Sequence, residues 1–289
     1  MYLPDFEYYI PKTLGEACEI LAQSDGEARV LAGGTDLLRD MKNDVGVPKA
    51  LVSLKAIQGL DQIAYVAGKG LVVGAKATHN DLAGSSLLKE HYAAIPETAR
   101  VMANNQIRNR GTVGGNIVSS VPSADLPPIF IALNASVTMI GPHETRTIPL
   151  EQFFVGPRRS VLNCDEILTE LIIPDQKTTG SAYLKLGLRR SGALAVVGVA
   201  ASVVANGGRI DHARIVLGAV APTPVRAFKA EQILVGNSVT GALLEEAGRA
   251  AADECKPISD IRGSAEYRRD MVRVFTKRAL CKALQLPIK

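Results

Sequence analysis

The feature that most constrains this chain is a Gly-Gly loop placed directly between a strand-like run and a helical one. Residues 28–31 read Ala-Arg-Val-Leu and predict a short strand, and Leu37 and Leu38 begin a helical segment. The loop between them reads Ala-Gly-Gly-Thr-Asp. Paired glycines allow positive φ and a close backbone approach to a ligand, and a helix start favours an anion. The loop is therefore a candidate diphosphate site.

A second glycine-rich segment lies at residues 111–117, which read Gly-Thr-Val-Gly-Gly-Asn-Ile. Thr35 in the first loop and Thr112 in the second add hydroxyl donors, so the two segments are able to hold one diphosphate from both sides. Taken singly, a Gly-Gly pair is more often a tight turn than a phosphate site. The chain has no G-x-x-x-x-G-K-[ST] motif, which argues against a P-loop nucleotide triphosphatase.

Composition excludes several other classes of protein. A net charge of +4 with interleaved acids and bases does not predict a nucleic-acid surface. The four cysteines and four histidines are dispersed, which predicts reduced thiols and no metal ligands. The N-terminal residues are acidic and interrupted by Pro4, a pattern that does not predict a signal peptide. The apolar run at 193–205 is too short to span a bilayer. We therefore expect a cytoplasmic protein.

The chain predicts two parts of mixed α and β structure. Thr13 and Glu16 form a capping-box pattern that opens a first helix. Apolar periodicity predicts further helices over 80–88, 95–105, 240–255 and 267–284. Asn-Gly-Gly-Arg at 206–209 joins two strand-like runs as a hairpin. A polar break near 175–180 predicts the boundary between the two parts.

Several segments resemble, in the same order along the chain, the flavoprotein family of xanthine dehydrogenase and carbon monoxide dehydrogenase. Residues 29–38, Arg-Val-Leu-Ala-Gly-Gly-Thr-Asp-Leu-Leu, are similar to the first FAD-diphosphate loop of that family. Residues 105–117, Asn-Gln-Ile-Arg-Asn-Arg-Gly-Thr-Val-Gly-Gly-Asn-Ile, are similar to the second. Ser-Ala-Asp-Leu-Pro at 123–127, Asp-Glu-Ile-Leu at 165–168 and Tyr-Leu-Lys at 183–185 also fit.

The resemblance implies an α+β fold. A FAD-binding domain of the vanillyl-alcohol oxidase type is expected over 1–174, with subdomains of about 1–55 and 56–174. A small C-terminal domain of antiparallel sheet and helices is expected over 178–289. The resemblance implies FAD in this chain, with no catalytic side chain and no metal. The implied FAD contacts are Leu31, Ala32, Gly33, Gly34, Thr35, Asp36, Leu37, Ile107, Gly111, Thr112, Gly114, Gly115, Asn116, Asp125, Leu168 and Lys185.

Four of these contacts depend on the resemblance alone. Ile107 and Leu168 are implied as apolar contacts near the flavin or the adenine. By themselves the residues favour simpler readings: Asp125 as a turn cap, Lys185 as a surface residue of a strand, and Leu168 as part of the core.

The same resemblance implies an electron-transfer subunit of a molybdenum hydroxylase. A large partner subunit would carry the molybdenum cofactor and a small one the [2Fe–2S] clusters, in a dimer of heterotrimers. The FAD would pass electrons from the clusters to an external acceptor such as NAD⁺ or a quinone. Two alternatives are a free-standing FAD oxidoreductase of the same fold and an assembly subunit without cofactor.

Two departures from family branches refine the expectation. Leu194 stands where the carbon monoxide dehydrogenase branch tends to have a tyrosine, and a leucine offers neither a hydroxyl nor an aromatic face. This makes carbon monoxide a less favoured substrate of the complex. The 4-hydroxybenzoyl-CoA reductase branch carries an iron–sulfur cluster in this subunit, and the dispersed cysteines predict none here.

Overall fold

A three-stranded parallel sheet orders the N-terminal part of the chain. In the computed structural model, which describes residues 2–287, its strands lie in the order β1 (Glu7–Tyr9), β3 (Ala50–Ser53) and β2 (Ala28–Leu31). Helix α1 (Leu14–Gln23) follows β1, and helix α2 (Leu37–Lys42) follows β2. Parallel strands end at the same edge of a sheet, and ligands bind in the crevice at that edge in open α/β sheets. The first glycine loop therefore opens where β3 also ends.

The second sheet is antiparallel and has five strands. Their order is β4 (Ile63–Val66), β5 (Gly70–Gly74), β10 (Ile167–Ile173), β6 (Ser136–Ile140) and β7 (Thr145–Pro149). Six short helices connect β5 to β6: α3 (His79–Gly84), α4 (Ser86–Tyr92), α5 (Ala94–Val101), α6 (Asn105–Arg108), α7 (Val113–Val118) and α8 (Leu126–Ala132). A small hairpin of β8 (Phe154–Gly156) and β9 (Arg159–Ser160) precedes β10.

The C-terminal part is an antiparallel sheet covered by helices. Its strands are β11 (Gly180–Leu186), β12 (Val197–Asn206), β13 (Arg209–Gly218) and β14 (Val225–Arg226), paired in that order. Its helices are α9 (Phe228–Leu234), α10 (Gly241–Glu254) and α11 (Ala265–Ala283). Helix α11 packs on β11 and β12, as its apolar periodicity predicts.

Each sheet has a hydrophobic core of its own. The N-terminal core includes Leu21 and Val52, the central one Phe130 and Phe153, and the C-terminal one Val199 and Leu280. Buried residues of β11, β12 and β13 also join the central core, so the C-terminal sheet packs against α8. This architecture confirms the predicted α+β class, with an antiparallel sheet and helices at the C-terminal end.

The predictions of one continuous helix over 80–88 and another over 95–105 are wrong. The segment 80–88 is split into α3 and α4, because Ser85 is extended and its hydroxyl accepts from the Leu88 N–H. The segment 95–105 ends at Val101, and Asn104 starts a separate turn by accepting from the Ile107 N–H. In both cases a short polar side chain caps a new helix, a local effect that periodicity does not detect.

The predicted cap of α1 is half correct. The Thr13 hydroxyl accepts from the Glu16 N–H at 3.2 Å, as a capping box requires. The Glu16 carboxylate, however, accepts from the N–H of Lys12 at 2.8 Å rather than from that of Thr13. The carboxylate therefore reaches one residue further back than predicted.

The hairpin between β12 and β13 is confirmed, and it generates a stability prediction. Gly207 and Gly208 have φ of +55° and +80°, as a two-residue hairpin turn with positive φ requires. A methyl group at Gly207 meets open space, so Gly207→Ala should destabilise the protein only through its backbone, by about 1 kcal/mol. Gly241→Ala, also in open space but at a helix start, should instead stabilise it by about 0.5 kcal/mol. Urea unfolding of both variants measures the difference; equal effects would contradict the backbone explanation.

Candidate functional site

A cavity of about 340 Å³ opens at the carboxyl-terminal edge of the parallel sheet. Both glycine segments line it, together with the first residues of β10, the middle strand of the second sheet. The residues that line it include Ala32, Gly33, Gly34, Thr35, Asp36, Leu37, Leu54, His79, Gly111, Thr112, Gly114, Gly115, Asn116, Arg158, Leu162, Glu166 and Leu168. The cavity thus contains most of the residues that the sequence predicts.

The first loop presents a row of unused backbone donors. Within residues 2–287, the N–H groups of residues 33–37 donate to no protein acceptor. The first bonded N–H is that of Leu38, which donates to the Gly34 carbonyl at 3.0 Å. Gly34 has φ of +74°, which turns the chain so that successive N–H groups face one side. Five adjacent unpaired donors at a helix start form an anion-binding concavity.

The second segment differs from the prediction. We expected positive φ at its paired glycines, but the only positive-φ glycine in either segment is Gly34. Gly114 and Gly115 lie instead in the first turn of helix α7, whose N-cap is Thr112. The N–H groups of Gly114 and Gly115 are already bonded, to the Ala75 carbonyl at 2.8 Å and to the Thr112 hydroxyl at 3.1 Å. The second segment therefore contributes few backbone donors.

The glycines of the second segment serve close packing. A Cβ on Gly114 would lie 2.9 Å from the Ala75 carbonyl oxygen, and one on Gly111 would lie 2.9 Å from the His79 ring. Glycine is needed here because any side chain would force these segments apart. The donors that remain for a ligand are the Thr112 N–H and the Nδ2 group of Asn116. The Oδ1 of Asn116 is an acceptor, and it is buried without a partner within residues 2–287.

The two glycine segments touch each other. A Cβ on Gly33 would lie only 1.9 Å from the Arg110 carbonyl oxygen, so the two backbones pass at contact distance. Ser119, which follows helix α7, donates its hydroxyl to Asp36 at 2.8 Å. These two contacts hold the first loop against the turn before α7 and the end of that helix.

Charged side chains around the cavity are paired with each other. Arg158 binds Asp40 at 2.6 Å, and Arg146 binds Glu166 through two bonds of 2.6 and 2.7 Å. Burial alone would raise the pKa of Glu166, but the hydrogen bonds from Arg146 outweigh it and hold the pKa below its ordinary value. Glu166 therefore stays ionised, and its pairing with Arg146 leaves it unavailable as a general base. The arrangement favours binding over acid–base chemistry.

Four predicted residues do not line the cavity. Leu31 supports the loop from behind, with its Cδ1 3.1 Å from where a Cβ of Gly34 would lie. Ile107 is 39% exposed on the outer surface of α6. Asp125 and Lys185 form a buried ion pair at 2.8 Å, and Tyr183 donates its hydroxyl to Asp125 at 2.7 Å. Burial raises the pKa of Asp125, against the opposing effects of Lys185 and Tyr183.

Sequence reasoning missed His79, Arg158 and Glu166 as residues of the cavity wall. His79 is the first residue of α3 and is only 4% exposed. Burial and the nearby Arg108 lower the pKa of its ring from 6.5 to about 4, against the opposing effect of Asp36. No sequence motif indicates that His79 belongs to the site. Only its contact with Gly111 in the folded chain shows this.

Two family descriptions match the chain. "FAD binding domain in molybdopterin dehydrogenase" matches residues 4–176, and "CO dehydrogenase flavoprotein C-terminal domain" matches residues 182–283. The first match alone covers more than half of the chain.

Similar proteins extend over nearly the whole chain. The carbon monoxide dehydrogenase medium chain of Hydrogenophaga pseudoflava is 37% identical and covers 97% of both chains. The nicotine 6-hydroxylase medium subunit of Paenarthrobacter nicotinovorans is 32% identical, covering 98% of this chain and 99% of that one. The xanthine dehydrogenase FAD-binding subunit of Escherichia coli O157:H7 is 29% identical, covering 96% and 95%.

Solved structures of related enzymes also match nearly the whole chain. A carbon monoxide dehydrogenase from Hydrogenophaga pseudoflava that lacks the Mo-pyranopterin moiety matches with a TM-score of 0.95 and 37% identity, covering 99% of both chains. Quinoline 2-oxidoreductase from Pseudomonas putida 86 matches with a TM-score of 0.93 and 30% identity, again over 99% of both chains.

The buried ion pair gives a prediction about stability. Lys185→Met leaves the buried Asp125 carboxylate without its cation and should destabilise the protein by about 3–5 kcal/mol. The double variant Asp125→Asn with Lys185→Met removes both charges and should recover most of that loss. Urea unfolding checks both; a single variant as stable as the wild type would show that the pair is not formed.

His79 gives a prediction about pH. Its native pKa of about 4 lies below its ordinary 6.5, so the unfolded chain binds more protons between these values. Stability should therefore fall as the pH drops from about 6.5 towards 4, by up to about 3 kcal/mol from this ring. His79→Leu should unfold with a flatter pH dependence than the wild type over this range. Identical pH dependence in urea unfolding would contradict the buried neutral ring.

Proposed function

Because the chain belongs to the FAD-binding subunits of the molybdenum hydroxylase family, we propose that it carries electrons between its partner subunits and an external acceptor. It takes them from the [2Fe–2S] clusters of a small subunit and passes them to a carrier such as NAD⁺ or a quinone. The observation that carries this proposal is the row of five unpaired N–H groups at residues 33–37, which matches the acceptor-rich diphosphate of FAD.

The residues of the cavity fit this cofactor. The N–H groups of residues 33–37 would bind the diphosphate from one side, and Thr112 and Asn116 from the other. Leu54, Leu162 and Leu168 give an apolar wall for one of the ring systems. Ala32, Gly111, Gly114 and Gly115 also line the cavity, and the close packing of the three glycines against the protein keeps the two segments together around it. When bound, FAD would supply reversible transfer of one or two electrons.

The remaining predicted contacts lie towards the C-terminal sheet. We assign Ile107, Asp125 and Lys185 to the part of FAD beyond the cavity, with Leu31 as support for the loop. The Gly192 N–H donates to the Ala103 carbonyl at 2.8 Å and so joins the segment after β11 to the turn between α5 and α6. The pair of Lys185 and Asp125 joins β11 to the start of α8. An ionised pair beside a flavin would set the local electric field and so tune its reduction potential.

The assembly we propose is a dimer of heterotrimers in the cytoplasm. Each heterotrimer would join this chain to a large subunit with the molybdenum cofactor and a small one with [2Fe–2S] clusters, as the names of the medium-chain relatives suggest. No helix within residues 2–287 is long and apolar enough to cross a membrane. We also propose a FAD-binding domain over 1–174, with subdomains of about 1–55 and 56–174, and a C-terminal domain over 178–289, in line with the matched residues.

Cofactor content of the purified chain tests the proposal. The wild type should contain about one FAD per chain and should co-purify with an iron–sulfur and a molybdenum subunit. Gly33→Ala, whose Cβ would lie 1.9 Å from the Arg110 carbonyl oxygen, should separate the two loops and lower the affinity for FAD at least about tenfold. Gly15→Ala, with open space around it in α1, is the matched control and should keep its FAD.

Three outcomes distinguish the alternatives. A wild-type chain without FAD would refute the electron-carrier role and favour an assembly subunit. A flavoprotein that oxidises substrate without partners would be a free-standing oxidoreductase. A Gly33→Ala chain with its full FAD content would place the cofactor elsewhere.

A further inference from the structure

His79 has a place in the cavity that the fold itself does not explain. It is the first residue of α3, yet the helix start is completed without its ring. The Thr78 hydroxyl accepts from the Asp81 N–H at 3.1 Å, and the Asp81 carboxylate accepts from the Thr78 N–H at 2.8 Å. The backbone N–H of His79 donates to the Gly111 carbonyl at 3.0 Å, which any residue would do equally well.

The imidazole ring is buried without a hydrogen bond. His79 is 4% exposed, and its Nδ1 has no partner within residues 2–287. Burying a polar atom without a partner costs free energy. An apolar residue of similar volume would avoid this cost. The stability of the chain therefore does not explain why a histidine stands at this position.

Of the two ring nitrogens, Nε2 is the one open to a ligand, because it is not fully enclosed as Nδ1 is. Its Cδ2–Nε2 edge lies against Gly111, 2.9 Å from where a Cβ would be, and both residues line the cavity. With Nδ1 buried and no acceptor beside it, a neutral ring places its one proton on Nε2, because an orphaned buried N–H is rarer than an orphaned acceptor. The ring then offers one N–H donor towards the cavity.

Neutral donors matter here because the cations of the cavity are engaged. Arg158 is paired with Asp40 at 2.6 Å, and Arg29 donates to the Gly26 and Ala28 carbonyls at 2.8 and 3.0 Å. Three acidic residues, Asp36, Asp40 and Glu166, also line the wall. A diphosphate therefore relies on N–H and O–H donors to balance its charge.

From this geometry, and resting on the proposed function, we propose that His79 is a positioning residue that donates its Nε2–H to the diphosphate of the cofactor. The first loop supplies its row of N–H groups from one side of the cavity. His79 supplies a side-chain donor from beneath Gly111, where the N–H groups of the second segment are already bonded. Close contact at Gly111 fixes the ring, so that little rotamer freedom is lost on binding.

Two substitutions separate this role from a structural one. His79→Leu removes the donor and keeps an apolar side chain, whereas His79→Gln keeps an N–H donor. We expect His79→Leu to weaken FAD binding about tenfold or more, while the cofactor-free chain melts no lower than the wild type because a buried unpaired nitrogen has been removed. We expect His79→Gln to stay within a few-fold of the wild-type affinity.

ADP and adenosine serve as probes of the diphosphate contact. Calorimetric titration of the full cofactor-free chain with each should show the His79→Leu loss for ADP and not for adenosine. Equal ADP affinity in His79→Leu and the wild type would overturn the assignment. So would a His79→Leu chain that melts lower and loses both ligands, since that is the signature of a structural residue. A wild type that binds neither FAD nor ADP would instead refute the proposed function, on which the assignment depends.

Discussion

The site depends on one contact between two backbones, where the first glycine loop passes the turn that precedes helix α7. No side chain fits there, because a Cβ on Gly33 would lie 1.9 Å from the Arg110 carbonyl oxygen. Two further close approaches at glycine, Gly111 against the His79 ring and Gly114 against Ala75, bring the central sheet and α3 to the same point. Three segments far apart in sequence thus converge on one cavity without filling it.

The two glycine segments are similar in sequence and opposite in their hydrogen bonding. In the second, the N–H groups of residues 113–116 all donate within the protein, which anchors α7 to the end of β5. In the first, the N–H groups of residues 33–37 remain unpaired within the described part of the chain. The second segment therefore provides rigidity and space, and the first provides donors. A preorganised row of donors favours an anion because it need not be rearranged on binding.

Much of this could be predicted from the sequence. The strand–loop–helix arrangement, the hairpin at Gly207 and the α+β class follow from turn chemistry and periodicity, which act locally. The two glycine segments could be recognised in the sequence as a pair. The sequence did not show that one needs glycine for its conformation and the other for close packing, because close backbone approach depends on residues distant in sequence. His79 gave no signal for the same reason: its burial and its contact with Gly111 arise only in the fold. The breaks at Ser85 and Asn104 were missed because single capping residues override apolar periodicity.

The proposed function requires that the unpaired N–H groups of the first loop bind the diphosphate of FAD. Amide hydrogen exchange, measured residue by residue in the cofactor-free and FAD-loaded chain, tests it most directly. We expect FAD to slow exchange strongly at residues 33–37 and at Thr112, and to change it little at residues 113–116, whose N–H groups are already bonded. Unchanged exchange at residues 33–37 in a chain that holds FAD would contradict it.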